Sequence, residues 1–476
     1  MAKAGWDVQV LEKQSSPGGR ARMWPVEGFS FDMGPSWYWM PEVFERFFNQ
    51  FGKKVSDYYS LKRLDPSYRI YWDDEVTDIP ADYNAFRELF EKFEKGSSLK
   101  LDRFLAEAEY KYNVGVNKLV FKPGQSLLEF ADWDLVKGLF RLDVFSSIQT
   151  HVHKYFRHPK LRQILEFPVL FLGALPENTP ALYSLMNYAD IQLGTWFPEG
   201  GMFKIVEGMY QLAMEQGARF SFNSNVTAIE INKGTAKKVV LDNGESFEAD
   251  VVIGGADYHF IETKLLPESY RSYSENYWEK RVMAPSCLLY YVGVKKKLKN
   301  LQHHTLFFDV PFERHAKEIY ETPSWPAAPL FYLCASSVTD PTQAPEGCEN
   351  LFFLIPLAAG LEGDTEEVRE RYFQIMIDRL KEKTGEDISK DIIVKKSFSV
   401  TDFKSVYNAF KGNAYGLANT LMQTAVLKPA CRSAKVTNLF YTGQLTVPGP
   451  GVPPSLISGE VVAGEVIRHF GGDKKY

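Results

Sequence analysis

Cysteine is scarce in this chain: four in 476 residues, at Cys287, Cys334, Cys348 and Cys431, with no C-x-x-C pair. A disulfide framework is excluded, and a reducing compartment fits. There is little excess charge of either sign. Lys and Arg number 55 against 60 Asp and Glu, a net charge of −5, so no polybasic footprint for nucleic acid exists. Met1 is followed by no apolar stretch, so no signal peptide is visible. The longest uncharged apolar run, 351–361, is interrupted by Pro356. It falls short of the ~18 residues a spanning helix needs, though a chain lying on a membrane stays compatible. No G-x-S-x-G, H-E-x-x-H or Walker A sequence is present. The eight histidines include His151-x-His153 and His303-His304, which lack partners at zinc spacing. Core or solvated roles are favoured for them, and no metal is expected. With no acid, base or nucleophile set in view, the catalytic residues are unknown, and a cofactor is expected to carry the chemistry.

What the chain has is aromatic bulk: 35 Phe, 25 Tyr and 9 Trp. These fit a large core, a wide apolar cavity or a membrane-facing surface. The length suits two or three domains. Residues 1–4 read as the last turn of a helix with Gly5 behind it, and 6–11 as a strand closed by Glu12. Helical apolar spacing covers 40–58 and 82–110, and 127–175 is helix-rich. A helix over 203–217 ends at a glycine, and 219–253 alternates as strands with Gly234 and Asn243-Gly244 at the turns. Further strands are expected at 286–294, 328–336 and 351–356. Helices are expected over 364–384 and 455–470. The expected fold class is α/β: a doubly wound, Rossmann-like nucleotide-binding domain interleaved with an α+β substrate domain carrying apolar helices. Residues 1–60, 195–285 and 425–476 are assigned to the first domain. Residues 61–194 and 286–424 are assigned to the second, a substrate and membrane-associating domain.

Four motifs carry the chemistry. In V-L-E-K-x4-G-G-R-A, Glu12 at a strand end can hydrogen-bond the ribose of an adenine dinucleotide. Gly18 and Gly19 let backbone approach a pyrophosphate, and Arg20 can neutralise it. The loop Asp32-Met-Gly34-Pro gives a tight turn where backbone can meet a flat ring. Val226 opens a strand whose main chain can meet an adenine edge, and 249–257 ends a further strand in Gly-Gly. Finally, 438–443 reads as a strand ending at Gly443, followed by the rigid Pro/Gly loop 448–454 and a helix N-terminus. Such an N-terminus stabilises partial negative charge, as on a reduced flavin. Each motif alone also reads as an ordinary turn or strand end; the set is what is specific.

In order and spacing these motifs resemble the bacterial carotenoid desaturases of the phytoene desaturase type, within the FAD-dependent amine oxidase-like flavoproteins. The likeness runs over nearly the whole chain, with further matching stretches at 195–202 and 337–347, and the Pro-Gly-Pro-Gly-Val-Pro-Pro segment is its most specific part. The resemblance implies non-covalent FAD, a long apolar polyene substrate, quinone or oxygen as electron acceptor, and a cytoplasmic protein held peripherally on the inner face of the cell membrane. It places Glu12 on the ribose, Gly18, Gly19 and Arg20 beside the pyrophosphate, Gly34 near the flavin and Val226 on adenine. Gly443, Gly451, Val452 and Pro453 would border the isoalloxazine. Position 444 is Gln, where many related flavoproteins place an acid.

One element of the pattern is absent. The G-x-G-x-x-G fingerprint precedes its acidic partner by ~20 residues, and here that acid is residue 12. The expectation is a late-placed start or a truncated copy lacking the first strand, and with it weak FAD binding; an FAD-free paralogue is the second reading. The implied reaction is desaturation of an acyclic carotenoid, phytoene towards lycopene, by hydride transfer to flavin. A carotene isomerase, a 3,4-desaturase or oxygenase, a retinol saturase-like enzyme, an amine oxidase and a non-catalytic carotenoid-binding paralogue are the competing readings. The aromatic segments 121–190 and 286–335 are candidate tunnel walls. The cations Lys137, Arg141, Lys154, Arg157, Lys160 and Arg162 are candidates for an anionic bilayer.

Overall fold

A computed structural model describes residues 1–126, 129 and 146–471. Leu127, Leu128, Phe130, Leu135, Lys137, Leu139, Phe140, Arg141 and Phe145 lie outside the described residues. The strand Ser286–Val294 is buried at every position, the mark of a strand covered on both faces. It sits second in a seven-stranded sheet whose order is Ile392–Phe398, Ser286–Val294, Glu349–Leu357, Phe331–Cys334, His304–Phe308, Tyr68–Trp72, Val76–Ile79. All pairings are antiparallel except that of His304–Phe308 with Tyr68–Trp72.

The two-residue period of the strand sorts its side chains. Leu288, Tyr290, Val292 and Val294 face Tyr372, Phe373, Met376, Ile377 and Leu380 of the helix Glu366–Thr384. That helix is capped by the Thr365 side chain, which accepts from Val368 N–H, and is ended by Gly385 at φ 74°. Cys287, Leu289 and Tyr291 face the other way, into a cluster with Phe29 and Phe31 of the strand Phe29–Asp32. Gly293 is needed there, because a Cβ would meet the Phe29 ring at 2.8 Å. Much of the aromatic content is therefore core.

The remaining sheets are small. Gln9–Leu11 runs parallel to Arg219–Ser221, and Val252–Gly254 parallel to Leu439–Tyr441. An antiparallel meander joins Val226–Asn232, Thr235–Leu241 and Ser246–Glu248. The bonds from Gln9–Leu11 to its neighbour run through Val8 and Glu12. Alternation along a parallel ladder turns the N–H groups of Gln9 and Leu11 to the opposite edge. Likewise Val252 and Gly254 bond towards Leu439–Tyr441, which turns Ile253 away. Among the described residues neither outer edge has a strand partner, and Ile253 is 39 % exposed.

The expected elements are largely present. Ala2–Ala4 is a single 3₁₀ turn ended by Gly5 at φ 80°. The 40–58 helix is shorter, Pro41–Asn49, and 82–110 splits into Tyr83–Phe93 and Ser97–Val114 at Gly96, φ 79°. The last helix begins earlier than expected, at Val452 rather than 455. Pro453 and Pro454 fit its first turn, where a missing N–H costs nothing. In the described part of 127–175, Leu161, Ile164 and Leu165 are core, and Lys160 pairs with Asp74 and Glu75 at 2.5 Å. Lys154 and Arg157 are exposed, and Arg162 gives Nε to the Phe156 carbonyl. Among the described residues no helix is long and apolar enough to cross a membrane.

Candidate flavin site

Glu12 follows the Gln9–Leu11 strand, and one of its carboxylate oxygens accepts Gln14 N–H at 2.8 Å. Its carbonyl takes Ser224 N–H at 2.8 Å, which brings the start of the Val226–Asn232 strand alongside. Val226 and Lys13 line one open cleft of about 600 Å³, together with His259, Lys264, Lys404 and Lys411. The cleft is cationic, as a phosphorylated ligand requires.

Gly18 and Gly19 hold φ of 105° and 54°. A Cβ on Gly18 would touch Val206 at 3.0 Å, whereas one on Gly19 would meet nothing within 4 Å. Gly34 is required by the fold itself: a Cβ there would lie 2.2 Å from the Arg20 carbonyl oxygen. Arg20 is committed within the protein. Its Nη1 donates to the carbonyls of Asn413 at 2.6 Å and Ala414 at 2.8 Å, and its guanidinium lies over Phe403 and Tyr407. The Gln444 amide stands 3.0 Å from Arg20 Nη2 in the orientation that lets its oxygen accept. Gln444 thus belongs to a structural tie rather than to an open acidic position.

Gly443 ends the Leu439–Tyr441 segment at φ 108°, with open space where a Cβ would stand. Its N–H donates to Ser458 Oγ at 3.0 Å, on the buried face of the Val452–Phe470 helix. Gly451 is the N-cap of that helix at φ 116°, and no side chain caps it. Its first turn therefore keeps partial positive charge free for a ligand. Val452 packs against the cluster that contains Tyr38, Phe48 and Ile205, which anchors this terminus.

The structure thus gathers Gly18, Gly19, Arg20, Gly34, Gly443 and Gln444 around one tie, with Glu12 and Val226 on the cleft side. It adds residues the sequence did not single out. Ser458 has no motif of its own. Lys428 is buried, its amine has no hydrogen-bond partner among the described residues, and burial pushes its pKa down to about 7. A Cβ on Gly449 of the Pro/Gly loop would sit 3.0 Å from that amine. An orphan donor beside the loop, bare glycine backbone at 19 and 443, and an uncapped helix terminus all fit a flavin dinucleotide.

Parallel βα segments, a ribose-type acid and a glycine-lined helix terminus define a dinucleotide-binding flavoprotein. The family of flavin-containing amine oxidoreductases matches residues 1–467. A carotenoid 3,4-desaturase of Haloarcula japonica is 42 % identical over 471 residues, 98 % of this chain and 94 % of that one. A zeta-carotene-forming phytoene desaturase of Myxococcus xanthus is 32 % identical, covering 97 % and 89 %. An oxidoreductase structure from Methanosarcina mazei superposes with a TM-score of 0.63 at 15 % identity, covering 97 % and 95 %, a likeness of fold. The chain belongs to the flavin-containing amine oxidoreductases, and within them to the carotenoid desaturases. The α/β flavoprotein fold and the FAD cofactor expected from the sequence are borne out at the level of that family.

Proposed function

We propose that this protein is an FAD-dependent desaturase of acyclic carotenoids that acts at the C3–C4 bond of an already conjugated chain. The observation that carries the reading is the 42 % identity to a carotenoid 3,4-desaturase along 98 % of this chain. Desaturation next to a polyene removes a hydride and a neighbouring proton, and allylic delocalisation stabilises the developing cation. When bound, FAD supplies the hydride acceptor, and quinone or oxygen reoxidises it. The chain's own part is alignment and dryness. With FAD bound, Gly443 and the Gly451 terminus would present backbone to the flavin, and Glu12 and Val226 would hold the nucleotide end. Lys428 is the group by the Pro/Gly loop able to exchange a proton near neutral pH.

Desaturation of phytoene is the second reading, favoured by the 32 % identical phytoene desaturase. Purified protein supplied with FAD is incubated separately with lycopene and with phytoene while polyene absorbance is followed. A red shift with lycopene alone supports 3,4-desaturation. A shift with phytoene alone supports the second reading, and no shift with either sinks both. We also propose that the apolar substrate is loaded from a membrane surface; failure to co-sediment with anionic liposomes at low salt would remove that idea.

A further inference from the structure

His304 opens the His304–Phe308 strand, and Cys334 ends Phe331–Cys334. Antiparallel register sets these two residues directly opposite each other, so their side chains leave the sheet on the same face. His303 lies just outside the strand. Its carbonyl accepts Ala335 N–H at 2.9 Å, and its ring meets that of His304 at 4.5 Å. One ligand atom from each of the three side chains lies within 4.8 Å of the other two. All three residues are at least nine-tenths buried, at 3 %, 0 % and 7 % exposure for His303, His304 and Cys334.

The hydrogen bonds fix which ring nitrogens are available. His304 Nδ1 lies 2.6 Å from the Tyr332 hydroxyl, which donates its own proton to Ser36 Oγ at 2.9 Å. With the Tyr332 proton on Ser36 Oγ, the imidazole hydrogen sits on Nδ1 and Nε2 keeps a lone pair; the same hydroxyl also meets the Cys334 thiol. His303 Nδ1 lies 2.8 Å from Thr339 Oγ1. Neither Nε2 has a partner among the described residues. A buried polar atom left without a partner is destabilising. Imidazoles held through Nδ1 by an oxygen, with Nε2 free, are the arrangement found around metal-binding histidines.

We propose that His303, His304 and Cys334 bind one transition-metal ion of the Zn²⁺ class. A tetrahedral ion spaces such donors ~3.5 Å apart, so side-chain closure of ~1 Å forms the site. A cavity of about 20 Å³ bounded by His303, Cys334, Asp32 and Met202 adjoins it. That is room for a single water as the fourth ligand. Asp32 is not free to be that ligand, because its oxygens accept Met202 N–H at 2.7 Å and Phe203 N–H at 2.9 Å; it supplies a nearby negative charge instead. The ion would tie two sheet strands to the loop carrying Ser36 and Trp37, whose indole stacks on His304 at 4.0 Å. Binding replaces the thiol proton, which is released to solvent. Nothing in this assignment depends on which carotenoid is desaturated.

The test uses untagged, chelator-stripped protein and Co²⁺ as the probe. One equivalent should bind with a thiolate-to-cobalt charge-transfer band in the difference spectrum, and Zn²⁺ should displace it. Cys334→Ser should abolish the band. Tyr332→Phe, which removes no ligand, should weaken binding at least ~10-fold. X-ray absorption at the zinc edge of the unaltered protein should read one sulfur and two imidazole nitrogens, a result that needs no variant to fold. Absence of stoichiometric cobalt binding, or a charge-transfer band that persists in Cys334→Ser, would overturn the proposal.

Discussion

Two glycines of the flavin motifs carry different burdens. Gly34→Ala forces a methyl to 2.2 Å from a backbone oxygen, which no side-chain rotation relieves. Overpacking of this kind costs about 1–3 kcal/mol or more. Gly19→Ala meets no neighbour and carries only the left-handed backbone penalty at φ 54°, ~1 kcal/mol. Urea denaturation should rank Gly34→Ala as the less stable, while flavin titration should show Gly19→Ala weakening FAD in a folded protein. Asp190 gives a pH-dependent prediction. It is buried, with its carboxylate accepting from the Thr195 hydroxyl at 3.0 Å and the Tyr68 hydroxyl at 3.2 Å. Burial raises its pKa from 3.8 to about 7. The folded state then holds a proton that the unfolded chain releases above pH ~4, so stability from this group is full below 3.8 and lost as pH rises to about 7. Asp190→Asn mimics the protonated form. Its urea midpoint should fall less than the parent's across that window, and an equal fall would refute the assignment.

At the scale of elements, the junction between Gly443 and the last helix is the informative one. Ser458 is fully buried, and Ser458→Ala leaves the Gly443 N–H without its acceptor. A loss of about 1–3 kcal/mol is expected, with weaker flavin retention on gel filtration. The helix itself was legible in the sequence, because Val461, Val462 and Val466 repeat at helical spacing. Its start was not, since two consecutive prolines read as loop until it is recognised that a first turn needs no N–H from them. The strands 219–253 were legible through alternation and turn chemistry. The glycines were legible as a set, yet their separate reasons were not. Gly34 answers to the Arg20 backbone and Gly443 to open space, a distinction that spacing along a chain does not contain. Arg20 also ties Asn413, Ala414 and Gln444, contacts that the sequence did not show because these partners are remote along the chain. The His303, His304 and Cys334 cluster was hidden for the same reason: cross-strand register, not local spacing, brings the thiol to the imidazoles.

For the whole molecule, burial is uneven. The seven-stranded sheet is covered by helix on one face and by an aromatic cluster on the other, whereas among the described residues the outer edges of the two parallel pairs have no strand partner. Hydrogen exchange should separate them. The amides of Leu11 and Ile253 should exchange orders of magnitude faster than those of Tyr290 and Val292, which lie inside the sheet. Protection of Leu11 and Ile253 equal to that of the central strand would contradict the described pairing.

Flavin binding also bears on how long the protein lasts in a cell. A flavin held as proposed above would bind the folded state alone, and at a hundredfold excess over its Kd it would add about 2.7 kcal/mol. FAD would then act as a folding partner as well as a reagent, and flavin supply would set the abundance of the protein through proteolysis of the unliganded chain rather than through its synthesis.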